Sequence, residues 1–179
     1  GVVDPCAYDE IKTGWPAAYG KVSHRDARQA SRAFPSLKEK VSLVVTSPPY
    51  LDTTDYNEDQ WLRLWFLGGA NEPRSGVNKD DRHTRLESYW TFLEEAWGGI
   101  QPLVNSGAHI VIRIGGTRML KADFYDGLLS SLKLGLSGYR VKHQHGGTTT
   151  EIINRQTNAF RPGTSSKRFE HDFVFKVTA

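Results

Sequence analysis

The sequence predicts an α/β fold: a mostly parallel sheet packed with helices and finished by an antiparallel hairpin at its edge. Three observations lead there. The run "VSLVVTS" is continuously apolar with β-branched enrichment, as parallel strands buried on both faces are, and "AHIVIRIGG" reads as another buried-type strand. Stretches with helical spacing of apolar residues alternate with them. Near the C-terminus two further strand-like stretches follow one another with no helix between, which forces them antiparallel.

In chain order, residues 1 to 20 carry scattered Pro and Gly with no sustained period and read as irregular, ahead of one domain over 21–179. "KVSHRDA" has the composition of a short strand and its exit, and "RDARQASRAF" that of a helix stopped by Pro35. The apolar run at 41–47 follows, ending at Ser47-Pro48-Pro49-Tyr50. "EDQWLRLWFLGG" sets Trp61, Leu62, Trp65 and Phe66 at helical spacing, closed by Gly68-Gly69. A polar loop of fifteen residues, "ANEPRSGVNKDDRHT", is longer than a mere connection needs. The next helix carries Leu86, Tyr89, Trp90, Leu93, Ala96 and Trp97 on one stripe, and these aromatic residues suit a core. "AHIVIRIGG" is the second buried strand. "KADFYDGLLSSLKLGL" then turns Phe124, Leu128, Leu132 and Leu136 to one side, and strands near "YRVKHQHGGTTTEII" and "HDFVFKV" complete the chain.

Composition narrows the classes of function. With 38% hydrophobic and 24% charged residues the chain has ordinary globular usage. A single cysteine, Cys6, builds neither a disulfide scaffold nor a thiolate zinc site, so a reducing, cytoplasmic setting is expected. No apolar run is long enough to span a bilayer, so no membrane partner is expected. His143 and His145 alternate on one strand face, but no third ligand is spaced to join them, and no metal site is expected. Charge is unevenly spread. Arg140, Lys142, Arg155, Arg161, Lys167 and Arg168 face only Glu151, which concentrates positive charge in one segment, as phosphate contact requires.

The chemistry centres on Ser47-Pro48-Pro49-Tyr50. Two prolines fix φ and remove two backbone donors, leaving nearby carbonyls as acceptors. Ser47 adds a hydroxyl acceptor and Tyr50 a flat ring for stacking. Two acceptors beside a stacking ring suit a planar ligand with an NH2 group. Accepting both amino hydrogens draws the nitrogen lone pair out of conjugation and makes it a better nucleophile. In sheets of this class ligands bind beyond the carboxyl ends of parallel strands. Asp26, Ser47 to Tyr50 and Gly115-Gly116 each follow a candidate strand, so they are expected to meet at one edge.

These residues resemble a known family. "VVTSPPY" looks like the catalytic motif of S-adenosylmethionine-dependent DNA amino-methyltransferases, and the similarity continues through "LDTTDYNEDQWLRLWFLGG", "YWTFLEEAW" and "SGAHIVIRIGG" to the closing "RFEHDFVFKV". The resemblance implies a Rossmann-like class I methyltransferase sheet, here partial. It implies direct methyl transfer to the exocyclic amine of a flipped base in DNA, with Ser47, Pro48, Pro49 and Tyr50 as the catalytic motif. It also implies S-adenosylmethionine near Asp26, Thr46, Ser47 and Pro48, and substrate or DNA contact by Tyr56, Gly115, Gly116, Arg161, Lys167 and Arg168. Serine at the first motif position leans to cytosine-N4 over adenine-N6. A role in restriction-modification, defence or regulation, near the nucleoid, goes with the family.

One departure is large. The family's glycine-rich turn, which cradles the methionyl part of the cofactor, is missing: "VVDPCAYDE" offers Asp4-Pro5 without a glycine. The chain is therefore expected to be a fragment, a degenerate copy, or one half of a split enzyme whose second polypeptide brings that turn. Two alternatives stand beside the leading one: a methyltransferase acting on amino groups of RNA bases, and a catalytically silent nucleic-acid-binding half.

Overall fold

The computed structural model describes residues 20–51, 62–71, 86–116, 119–145, 147–152 and 168–179. Readings on other residues, among them Trp61, the loop of 70–84 from residue 72 on, Tyr56, Arg161 and Lys167, lie outside these.

The sheet has five strands: β1 (Val41–Thr46), β2 (Val104–Gly116), β3 (Arg140–His145), β4 (Thr149–Ile152) and β5 (Arg168–Thr178). Their order is β1-β2-β5-β3, with β4 also paired to β5. β1 and β2 are parallel, whereas β5 is antiparallel to β2, β3 and β4. Four strands thus share one direction, and the last strand of the chain is inserted, reversed, between β2 and β3. This is the mixed α/β sheet expected, with antiparallel pairing at one edge.

The helices are a single turn α1 (Ala30–Ala33), a helical segment α2 described over residues 62–66, α3 (Leu86–Ile100) and α4 (Lys121–Gly135). α4 starts where the Asp123 carboxylate accepts from the Leu120 N–H at 3.1 Å, closing one orphan donor of its first turn. α3 and α4 lie together on one face of the sheet. Tyr89, Leu93 and Trp97 from α3 and Phe124, Leu128, Leu132 and Leu136 meet Ile110, Ile112, Ile114, Phe173, Phe175 and Val177, all buried. Inside this interface Trp97 Nε1 donates to Ser131 Oγ at 3.2 Å, and Ser131 in turn donates to the Leu128 carbonyl at 3.1 Å. The helices come close at two glycines of α4: a Cβ at Gly135 would stand 2.4 Å from the Glu94 carbonyl oxygen, and one at Gly127 2.2 Å from the Trp90 ring.

Three expectations are corrected. No strand forms before Asp26 among the described residues; a 3-10 turn over Ala27–Gln29 follows it, capped by the Asp26 carboxylate. β1 and β2 are not buried on both faces among the described residues. Leu43 and Val45 are 56% and 69% exposed, and His109 and Arg113 open to solvent on the same face. The helical spacing of Trp65 and Phe66 suits a core as that of Trp90 and Trp97 does, yet both are exposed, their rings 5.1 Å apart.

Candidate functional site

The site begins where β1 runs out. Thr46 pairs with Ile112 and shares the helix-side face of the sheet. Beyond it, proline at 48 and 49 removes the N–H groups that would continue the ladder, so pairing stops while β2 goes on for four more residues, to Gly116. Residues 47 to 51 therefore cross the carboxyl end of β1 and lie beside the end of β2.

This crossing is pinned from both faces. On the helix side, Tyr89 of α3, fully buried, donates its phenol proton to the Pro49 carbonyl at 2.7 Å. Leu51 joins the core just beyond. On the open side, Tyr50 donates to Glu170 Oε1 at 2.8 Å. Two anchors on opposite faces of one short segment fix its path more firmly than proline alone.

Gly115 explains how Tyr50 gets so close. It stands opposite Glu170 in the β2–β5 ladder. A Cβ there would lie 2.6 Å from the Phe169 carbonyl oxygen and 3.3 Å from both Tyr50 Cε2 and Glu170 Cγ. Gly116 is under similar pressure, its Cβ position 3.2 Å from Phe124 Cζ and 3.6 Å from the Leu51 carbonyl oxygen. The glycine pair makes room for the motif itself, not merely for a turn.

A charged cluster borders Tyr50 on the open face. Arg113 chelates Asp172, Nε to Oδ1 at 2.7 Å and Nη2 to Oδ2 at 2.9 Å, and its Nη1 lies 3.9 Å from Glu170 Oε2. Thr148 donates to Asp172 Oδ2 at 2.7 Å. The Arg113 bonds hold the Asp172 carboxyl down at about 2, and the same bonds push the guanidinium further up. Burial raises the Tyr50 phenol above its ordinary value; a hydrogen bond from Ser47 pulls it down, and the bond and charge of Glu170 push it up again. On the helix side, burial and then the charge of Lys121 lower the His171 imidazole below its ordinary value, and its Nδ1 lies 3.1 Å from Thr149 Oγ1.

The motif and the glycines thus come together, with Ser47 exposed and Pro48 buried. Asp26 does not join them. Its carboxylate is bonded to Arg28 through Nε and Nη2, and Arg28 also reaches Glu95 of α3 at 3.0 Å. Glu95 lies six residues along α3 from Tyr89, about 9 Å at helical rise. The turn after Asp26 packs still further along, where Ala27 and Arg28 back onto Gly99. Without a strand ahead of it, nothing carries Asp26 to the carboxyl edge. Arg168 opens β5 opposite Ile152. His143 is packed among the rings of Tyr125, Phe173 and Phe175. Of the carbonyls near the prolines, that of Pro49 is taken by Tyr89, while that of Pro48 accepts from no described residue.

Sequence reasoning missed Tyr89, Glu170 and Arg113 as parts of the site. Tyr89 read as one more core aromatic. Glu170 and Arg113 alternate with apolar residues on β5 and β2, a pattern that marks an open sheet face, but only the register sets them beside Tyr50.

No protein-family model matches the chain, and no curated protein matches it. Among solved structures it is similar to TTHA0409, a proposed DNA modification methylase from Thermus thermophilus. Two of its crystal structures align at 18% and 17% identity with TM-scores of 0.42 and 0.40, covering 87% and 86% of this chain. A third, complexed with S-adenosyl-L-methionine, aligns at 18% identity with a TM-score of 0.36. The chain spans about half the length of these structures, 51% to 52%.

Proposed function

We propose that this chain is the acceptor-side part of a DNA amino-methyltransferase, working on the exocyclic amine of a flipped base, cytosine-N4 in preference to adenine-N6. One observation carries the reading. A Ser-Pro-Pro-Tyr segment crosses the carboxyl edge of a Rossmann-like sheet, held by Tyr89 below and Glu170 above. In that setting the exposed Ser47 hydroxyl and the Pro48 carbonyl are acceptors for the two amino hydrogens, and the Tyr50 ring is the stacking surface. Flipping a base costs a few kcal/mol of lost stacking, part of which such a ring returns. The basic residues of the 139–168 segment, Arg161, Lys167 and Arg168 among them, are assigned to the DNA backbone.

S-adenosylmethionine is the methyl donor in this reading, and the residues present fit it only in part. Thr46, Ser47 and Pro48 end β1 at the edge where such a ligand would lie. Asp26 is occupied by Arg28 at another end of α3, and no glycine-rich turn stands in the sequence. The chemistry assigned to this chain is therefore confined to the accepting amine, and a second polypeptide or further segment is assigned the cofactor cradle.

The test is reconstitution with labelled cofactor, duplex DNA and a glycine-rich half supplied in trans, with tRNA and rRNA as competing substrates. Label on cytosine N4 supports the reading, and label only on adenine overturns the base preference. Label on RNA alone replaces DNA as the substrate, and no label on any substrate removes the enzyme reading. The displaced Asp26 favours one further reading, a silent nucleic-acid-binding half. Tight binding of the cofactor to this chain alone, measured by calorimetry, would sink that one.

A further inference from the structure

We infer that the open face of the sheet is a docking surface for a partner protein, and that its occupant is an amphipathic helix whose apolar stripe is flanked by acidic residues. The inference stands apart from the methyl-transfer reading. Lys176, at the heart of the surface, lies six residues along β5 from Glu170, about 20 Å at strand rise.

Side chains alternate along a strand. Val44, Ile110, Ile112, Val141, Phe173 and Phe175 pack into the core under α3 and α4, so the residues between them point away from both helices. One row on this open side runs Leu43, His109, Lys176, Lys142 across β1, β2, β5 and β3 in direct register. The next row, two residues nearer the carboxyl edge, runs Val45, Val111, Val174. Leu43 and this second row make an apolar band. Val111 and Val174 are half-buried within it, and Leu43 and Val45 are exposed. Apolar area left in water is worth about 25 cal/mol for each Å2 that a partner removes.

The charges choose the partner. Lys176 and Lys142 stand directly opposite each other, and Arg140 adds a further cation two residues from Lys142 on the same face. Directly opposed like charges weaken a sheet. Among the described residues no carboxylate pairs with any of the three. The acids of this face are engaged elsewhere, Asp172 by Arg113 and Thr148, and Glu170 by Tyr50. Carboxylates brought by a partner would relieve the opposition. The spacing suits one helix: Leu43 and Lys176 are two strands apart, about 10 Å, and a helix with its side chains is about 10–12 Å across. Seated along β1 and β2, it covers the apolar band while its acidic flank reaches both lysines. A nucleic acid would answer the lysines but not the band, which has no ring for a base to stack on.

The probe is a synthetic helical peptide with leucines at i, i+3, i+4 and i+7 and glutamates on both flanks. A peptide with lysine for every glutamate and a DNA duplex are the comparisons. The readout is NMR of the methyl-labelled chain. In the chain alone, a soluble paramagnetic agent should broaden the Leu43 and Val45 methyls and spare that of Leu128. The acidic peptide should shift Leu43, Val45, Val111 and Val174 saturably and shield them from the agent. Lys142→Glu combined with Lys176→Glu should weaken this binding roughly tenfold or more, the scale of one lost charge pair. Lys142→Glu alone sets opposite charges face to face and should melt no earlier than the wild type, so lost binding is not lost folding. Methyls already shielded in the chain alone overturn the inference, as does a face that binds neither peptide or both alike. Shifts caused by the duplex and not by the peptide replace it with a nucleic-acid surface. If the acidic peptide binds as stated while no preparation methylates DNA, the docking surface stands and the methyltransferase reading falls.

Discussion

Tyr89 donates its phenol proton to the Pro49 carbonyl at 2.7 Å, tying the buried stripe of α3 to the segment that leaves β1. Proline cannot pair with a neighbouring strand through its nitrogen, so this carbonyl is one of the few polar groups by which the segment can be held from below. Tyr89→Phe keeps the ring and loses the bond. The expected cost is about 1 kcal/mol of stability, the typical net worth of such a hydrogen bond. Chemical denaturation measures it, and an unchanged midpoint would mean that the carbonyl finds another donor.

Gly115→Ala tests how tightly the motif is seated. Its methyl would fall 2.6 Å from the Phe169 carbonyl oxygen, a backbone atom with no easy retreat. Overpacking of this kind costs about 1–3 kcal/mol. The variant should melt earlier and shift the Tyr50 resonances. Gly20→Ala, where nothing stands within 4 Å, is the matched control and should leave both unchanged.

Acid should weaken the fold in two stages. His171 is held below its ordinary 6.5 by burial first and then by Lys121. The unfolded chain therefore takes up this proton more readily than the native state, and stability falls as pH drops below 6.5. Asp172 is held at about 2 against an ordinary 3.8, mainly by its Arg113 bonds. Its contribution is present above 3.8 and is lost as pH falls toward 2. Thermal melts across pH should show the upper stage vanish in His171→Gln while the lower one remains.

The two faces of the sheet should respond differently to truncation. Leu128→Ala removes a fully buried side chain and should cost about 2–5 kcal/mol. Leu43→Ala, at 56% exposure on the open face, should stay within about 0.5 kcal/mol in this chain alone. Urea midpoints of the two variants decide it. A large loss from Leu43→Ala would mean that the open face is covered by residues outside those described.

Much of the fold was legible before any coordinates. Leu128, Leu132 and Leu136 repeat at the spacing of one helix face, and all three are buried. The Ile110, Ile112 and Ile114 series likewise announces a strand, because alternate residues must share a face. What misled was reading every apolar run as buried on both sides. Leu43 and Val45 are as apolar as Val44, and nothing local tells which way each will point or what will cover it. Asp26 failed for a related reason. "KVSHRDA" has the composition of a short strand, whereas the local bonds of Asp26 to Arg28 stabilise a 3-10 turn instead.

The sequence by itself determined the ingredients of the site: a strand stopped by two prolines, a hydroxyl before them, an aromatic ring after them, and two glycines ending the next strand. These are local matters, set by dihedral restriction and by which groups a residue carries. Only the tertiary structure decided that Tyr50 rests on Gly115, that Glu170 accepts its hydrogen bond, and that Tyr89 holds Pro49 from below. The two hydrogen bonds span 40 and 120 positions along the chain, and the longer one depends on the reversed insertion of β5 beside β2. Register across a sheet is a property of two strands at once, and neither strand's sequence contains it alone.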